Sequence, residues 1–144
     1  MDGQMPKPIV QIIAGVSGVG KTYMRTKLWE YYPVVDMGII RQENPGKSWH
    51  MMHYNIFLPQ IHELLYDDEE DFIVIEGYFL PQSRSLHDLL GFLKVEGATP
   101  LYWLLWAPIQ VCEDRIAAQY QSGDISAELC SSRIKALHRC WTNL

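Results

Sequence analysis

Gly15-Val16-Ser17-Gly18-Val19-Gly20-Lys21-Thr22 fits the pattern G-x-x-x-x-G-K-[ST], and the apolar run Ile9-Val10-Gln11-Ile12-Ile13-Ala14 leads straight into it. The spelling is that of a loop that cradles a polyphosphate. Glycines at 15, 18 and 20 let backbone N–H groups across Gly15 to Gly20 turn inward and approach phosphate oxygens closely. Lys21 supplies a point charge for the β/γ-phosphates, and the Thr22 hydroxyl can ligate Mg²⁺. A strand before the loop and a helix after it are the context such a motif requires. The first helical turn then adds unpaired N–H groups and the positive end of its dipole.

The bulk numbers set the frame around this loop. At 144 residues, with 48% hydrophobic and 20% charged residues, the chain suits one globular domain over 1–144. A formal net charge of −5 argues against a surface built for non-specific nucleic-acid binding. Three cysteines, Cys112, Cys130 and Cys140, show no C-x-x-C spacing and cannot all pair, which points to a reduced, cytoplasmic compartment. Met1 to Pro8 is polar and carries two prolines, so no signal peptide is expected there, and no apolar run reaches the length of a membrane span.

Outward from the loop, Ile9 to Ala14 reads as a strand buried on both faces of a parallel sheet. Lys21 to about Tyr31 reads as a helix with Met24, Leu28 and Tyr31 or Tyr32 inward, ended by Pro33. Val34 to Asp36 is a second strand, and Gln42 to Lys47 is a loop. Ser48 caps a helix carrying Trp49, Met52, Ile56 and Phe57, which Pro59 kinks or restarts as Pro59 to Tyr66. Five consecutive acids, 67 to 71, read as a solvated loop. Phe72 to Glu76 is a third strand, and Ser83 or Ser85 starts a helix with Leu86, Leu89, Leu90 and Leu93 as its core stripe. Leu101 to Trp106 is apolar throughout and is expected to be an interior fourth strand. Pro108 opens a helix to about Gln119, with Val111, Cys112 and Ile116 inward, and Ser126 caps a last helix ending near Trp141. Strands and helices in alternation predict an α/β fold: a parallel sheet of about four to five strands with helices on both faces, and ligands at the strands' carboxyl ends.

A phosphate loop specifies a nucleotide, not a reaction, so the remaining parts of a phosphoryl-transfer site are sought at those strand ends. Glu76 closes the third strand at its wet end, where a second Mg²⁺-linked carboxylate belongs. Asp36 closes the second strand, with Arg41 five residues on. An acid there can take the proton of an acceptor hydroxyl while an arginine grips the acceptor's phosphate, although a turn aspartate and a solvated arginine would look the same. Arg115, with Gln119 one turn later, suits an arginine-bearing lid over the γ-phosphate, against a surface arginine paired with Glu113 or Asp114. Arg84 and Arg133 are weaker candidates. His50, His53 and His62 lack a partner cysteine or acid at metal-ligand spacing, and Mg²⁺ does not favour imidazole. Trp49, Met51 and Met52 read as core or acceptor-pocket wall.

Taken in order, the glycine loop, Asp36 and Arg41, Glu76, then Ala107-Pro108-x-x-x-Cys112-x-x-Arg115 and a short lid before a final helix resemble the small P-loop kinases. Within that group the chain looks most like the kinase domain of polynucleotide 5′-hydroxyl kinases, often phage-encoded, over about residues 9 to 141. The resemblance implies a three-layer P-loop fold and an ATP-dependent phosphotransferase using ATP (or another NTP) and Mg²⁺. It implies Lys21 and Thr22 on the donor, Asp36 as general base, Arg41 on the acceptor phosphate and Arg115 in the lid. The acceptor would be a hydroxyl or phosphate of a nucleic-acid 5′ end or a nucleoside. The chain departs from the family in a short Lys21–Asp36 interval, in Glu76 where an aspartate is expected, and in Gln119 where related lids often carry a second arginine. A nucleoside-monophosphate or small-metabolite kinase, and a non-catalytic nucleotide-binding module, are the alternatives.

Overall fold

Strand β1 (Ile9–Ala14) is the centre of the molecule because its side chains can be buried on both faces: beyond Ile9, every residue is inaccessible or nearly so. In this computed structural model, which describes residues 7–67 and 69–142, β1 pairs in parallel with β3 (Phe72–Gly77) on one side and β4 (Pro100–Leu104) on the other. The short β2 (Val34–Asp36) adds to β3, so the sheet order is β2-β3-β1-β4. The register sets Ala14 beside Gly77 and Leu104, and Asp36 beside Glu76. All four carboxyl ends therefore open on the same edge, where the glycine loop leaves β1.

Helix α1 (Lys21–Trp29) lies on one face of the sheet. The other face carries α2 (Met37–Glu43), α3 (Trp49–Met52), α4 (Leu58–Leu65) and α5 (Arg84–Val95), whose Met37, Ile40, Met52, Ile61, Leu65, Leu89 and Leu93 close over Val10, Ile12, Ile73 and Ile75. Helices on both faces of a parallel sheet make the three layers. A second core joins Val16 and Val19 of the loop to Cys112 and Ile116 of α6 (Ile109–Gln121) and Leu137 of α7 (Ala127–Trp141). No helix among the described residues is long and apolar enough to cross a membrane.

Serine caps start three helices as their spacing predicts: Ser48, Ser83 and Ser126 each accept a backbone N–H three residues on, at 3.1–3.2 Å. Ser83, rather than Ser85, is the residue that starts α5. Helix α2 is not visible in the sequence pattern. It forms because Asp36 caps it, its Oδ1 accepting from Gly38 N (2.8 Å) and Ile39 N (3.2 Å), and it carries Arg41.

Several expectations are overturned. Helix α1 ends at Trp29 and buries none of its residues fully; Leu28 and Tyr31 are exposed, because the thin layer over β1 and β3 is built from Trp29, Tyr32 and Phe72 ring contacts. Leu90 is also largely outside the core. The fourth strand is not interior. It is an edge, and Leu101 to Leu104 all remain exposed. Pro108 stands before the first turn of α6 rather than in it.

Between α3 and α4 the helix widens to a π-helical turn, His53–Phe57, before Pro59 sits in the first turn of α4. His53 is turned fully into the core, stacked on Trp49 at 4.4 Å, with neither ring nitrogen hydrogen-bonded among the described residues. Burial lowers its pKa, so the ring is neutral. His50 and His53 both pack on the Tyr54 ring, at 4.6 and 4.7 Å, while His62 has other neighbours, its Nδ1 lying 3.3 Å from Glu96.

Candidate functional site

The glycine loop runs from the end of β1 to the start of α1, and its shape is set by contact with α6. Gly18 has φ +80, and a Cβ there would lie 2.4 Å from the carbonyl oxygen of Cys112. Only glycine allows the loop to pass so close. From the same helix, Arg115 Nη1 donates to the carbonyls of Gly18 (3.1 Å) and Val19 (2.9 Å). Of the loop's N–H groups, Gly15 N donates to Tyr78 O (3.1 Å) and Val19 N to Val16 O (3.3 Å), and the others are the ones that can meet an anion. Lys21 Nζ donates to the carbonyls of Gly15 (2.7 Å) and Val16 (2.9 Å). Burial of the ammonium outweighs the attraction of Glu76 and Asp36 and lowers its pKa to about 8.

Glu76 is buried, not wet. Its Oε2 accepts from Thr22 Oγ1 at 3.1 Å and its Oε1 from Arg25 Nε at 3.0 Å. Desolvation, then the neighbouring Asp36, push its pKa up, while Arg25 opposes the rise. Arg25 Nη2 also lies 3.8 Å from Asp36 Oδ2, so one guanidinium stands between the two carboxylates of the β2 and β3 ends. Asp36 thus has Arg25 as its cationic neighbour. Sequence reasoning missed Arg25, although it lies one turn after Lys21 and three residues after Thr22 on α1, and so on their face.

Tyr78 was missed as well. Its hydroxyl lies 2.6 Å from Ser17 Oγ of the loop, and its ring has Lys21 Nζ at 5.1 Å and the Arg41 guanidinium at 5.7 Å from its centroid. The next residue, Phe79, holds φ +32, a strained value for a side chain of its size. Its buried ring packs against Gly77, where a Cβ would meet it at 2.4 Å, and stacks on Phe57 at 5.6 Å. The strain turns the chain so that Phe79 enters the core while Tyr78 faces the loop.

One cleft of about 1280 Å³ runs from Ser17–Arg25 on one wall through Asp36, Arg41, Glu76 and Tyr78 to α6 and α7 on the other. Seven of the chain's 12 lysines and arginines reach it: Lys21, Arg25, Arg41, Arg115, Arg133, Lys135 and Arg139. Asp36 and Glu76 are the carboxylates in its lining. An acidic chain therefore presents a cationic cleft, and the folded charge distribution favours an anionic ligand. The sequence shows no basic stripe because these residues come from four helices. Gln119, where a second lid arginine was expected, accepts through Oε1 from Arg133 Nη1 at 2.9 Å, which draws an arginine of α7 to that position. Arg84 is outside the cleft, exposed beside Asp88.

No family model matches the sequence, and no curated protein is similar to it at a significant level. Solved structures do match. A chain of the Pnkp1/Rnl/Hen1 RNA repair complex superposes with a TM-score of 0.67 at 15% identity, covering 99% of this chain and 48% of that one. The Mycobacterium tuberculosis APS kinase CysC, solved with AMPPNP and APS, gives 0.60 at 20% identity over 85% of this chain and 78% of its own. A gluconokinase from Sinorhizobium meliloti 1021 gives 0.54 at 19% over 92% and 76%. The chain spans about half the length of the repair-complex chain it matches. The parallel four-stranded sheet, the glycine loop and these superpositions together give this chain the fold of the small P-loop kinases.

Proposed function

We propose that this protein is an ATP-dependent phosphotransferase that moves the γ-phosphate to the 5′ hydroxyl of a nucleic acid or of a nucleoside-type acceptor. The observation that carries the reading is the two-sided cleft, with loop, Lys21 and Thr22 on one side and Asp36 and Arg41 on the other. The backbone of Gly15 to Gly20 and Lys21 hold the donor's phosphates. The oxygens of Thr22 and Glu76, 3.1 Å apart, are the hard donors that Mg²⁺ prefers. When bound, Mg²⁺ supplies charge neutralisation between the donor's phosphates.

The α2 cap occupies Asp36 Oδ1 and leaves Oδ2 toward Arg25, so Oδ2 is the oxygen that takes the acceptor's hydroxyl proton. The acceptor oxygen bonds to the γ-phosphorus as the bond to the β-phosphate oxygen breaks, and ADP leaves. Arg41 grips an acceptor phosphate, and Arg115 and Arg133 offset charge on the donor side. The cationic cleft supports an acceptor that carries phosphate, and the Tyr78 ring between Lys21 and Arg41 suits a base or sugar face. Likeness to the APS kinase and gluconokinase folds supports a small-metabolite kinase as the second reading.

A panel of acceptors with γ-labelled ATP tests this. Label is expected on an oligonucleotide 5′ hydroxyl and is expected to vanish in a folded Lys21→Ala variant. Label on a mononucleotide or sugar alone would select the second reading. ATP binding without transfer to any acceptor would leave a nucleotide-binding module.

A further inference from the structure

The transfer reaction leaves Arg25 without a part, although its guanidinium bridges the two carboxylates of the cleft. Arg25 lies on the face of α1 that carries Lys21 and Thr22, one turn after the lysine. Its Nε donates to Glu76 Oε1 at 3.0 Å, and its Nη2 stands 3.8 Å from Asp36 Oδ2, with the side chain 20% exposed.

Side-chain oxygens converge at the ends of β2 and β3. Asp36 and Glu76 are register partners there, and Thr22 Oγ1 lies 3.1 Å from Glu76 Oε2. The α2 cap takes Asp36 Oδ1, which leaves Asp36 Oδ2, both oxygens of Glu76 and Thr22 Oγ1. Two carboxylates and a hydroxyl are donors that a hard divalent cation accepts. Arg25 withdraws two of these oxygens, Glu76 Oε1 through a hydrogen bond and Asp36 Oδ2 through its charge. What remains for a metal is Glu76 Oε2 and Thr22 Oγ1, whose hydrogen need only rotate away. The charge balance moves in the same sense. With Arg25 in place the two carboxylates keep a single net negative charge, and Lys21, whose ammonium both of them attract, offsets that. Mg²⁺ gives up its water reluctantly and settles on one or two carboxylates when a substrate's phosphates supply the rest. Two oxygens on so neutralised a site are too few to strip a free cation of water. They are enough to receive one already held by a polyphosphate.

We propose that Arg25 is a positioning residue acting through Glu76, which keeps the Asp36–Glu76 pair from chelating a divalent cation in the nucleotide-free protein. The inference rests on Thr22 and Glu76 as the metal's protein donors in the transfer reaction. It also protects the acceptor side. A cation held between Asp36 and Glu76 would take up Asp36 Oδ2, the oxygen that meets the acceptor, and Arg25 reserves that oxygen. Arginine suits the task because its planar fork presents several N–H groups to two carboxylates at once, which a lysine ammonium does not match.

Mn²⁺ tests it, since it takes the same oxygen donors and its unbound aqua ion is read by electron spin resonance. Without nucleotide, wild type is expected to show no saturable Mn²⁺ binding up to about 1 mM. Arg25→Gln without nucleotide is expected to bind Mn²⁺ at least about tenfold more tightly than wild type, the scale on which residues behind a metal ligand act. Arg25→Gln/Glu76→Gln is expected to lose that gain. Nucleotide-free wild type that binds Mn²⁺ as tightly as Arg25→Gln would overturn the proposal. So would an unchanged affinity in Arg25→Gln, or a gain that survives Glu76→Gln. Should Arg25→Gln not fold, wild type decides, because saturable Mn²⁺ uptake without nucleotide counts against Arg25. An acceptor panel without label would overturn the transfer reaction and leave these nucleotide-free measurements standing.

Discussion

Thr22 Oγ1 donates to Glu76 Oε2 across 3.1 Å, joining the first turn of α1 to the end of β3 over 54 residues of chain. The bond places a hydroxyl and a buried carboxylate side by side at the mouth of the glycine loop. It also fixes where Glu76's charge must be tolerated, since the same carboxylate is held by Arg25 on its other oxygen.

Ionising Glu76 carries a cost. Its folded pKa lies above the ordinary 4.5 through desolvation first and Asp36 second. A carboxyl whose pKa is raised on folding is a penalty above the folded value, and that penalty is relieved as pH falls toward 4.5. Thermal melts of wild type and Glu76→Gln between pH 4.5 and 8 are expected to show the variant equal or more stable at neutral pH. The advantage should shrink on acidification. A wild type that gains on the variant as pH falls fits; a pH-independent difference does not.

Lys21 provides a second pH test. With its pKa lowered to about 8 by burial, the ammonium is partly deprotonated in free protein at slightly alkaline pH. Polyphosphate beside it favours the charged form and raises the pKa again. ATP binding at pH 8–9 is therefore expected to take up a proton, and affinity should fall by up to about tenfold per pH unit above pH 8. Calorimetry in buffers of different ionisation enthalpy reads the proton directly, and Lys21→Met should abolish the uptake.

Asp36 caps α2, and in the proposed reaction it also takes the acceptor's proton; one substitution separates the two. Asparagine caps helices as well as aspartate does, so Asp36→Asn preserves α2 while removing the basic oxygen and its charge beside Arg25. Turnover is expected to fall about 10²-fold with little change in melting temperature, the modest factor reflecting a loose transition state. Asp36→Ala should add about 1 kcal/mol of lost stability. Unchanged turnover in Asp36→Asn would remove Asp36 from proton transfer.

Gly18 is where the loop and α6 meet. Alanine there would need φ +80 and would press a methyl group to 2.4 Å from Cys112 O. Backbone strain alone costs about 1–3 kcal/mol. Gly18→Ala should lower the melting temperature and weaken ATP binding together, whereas Gly46→Ala, equally left-handed but with open space around it, should leave ATP binding intact.

Much of the fold could be read in advance because its signals are local. The runs Ile9–Ala14 and Phe72–Glu76, the serine caps and the glycine loop state their structure within a few residues. Helix α2 escaped notice because what starts it is a single capping aspartate rather than an apolar stripe. The edge position of β4 escaped because an apolar strand reads the same in the middle of a sheet as at its margin.

The sequence by itself determined the phosphate loop, the alternation of strands and helices, and the ends at which Asp36 and Glu76 stand. Each depends on spacing and on backbone preferences within a short window. Only the tertiary structure decided that Glu76 is buried against Thr22 and Arg25, and that Gln119 holds Arg133. It likewise gathered seven cations of an acidic chain into one cleft. Burial and charge density are sums over neighbours, and the neighbours come from helices far apart in the chain.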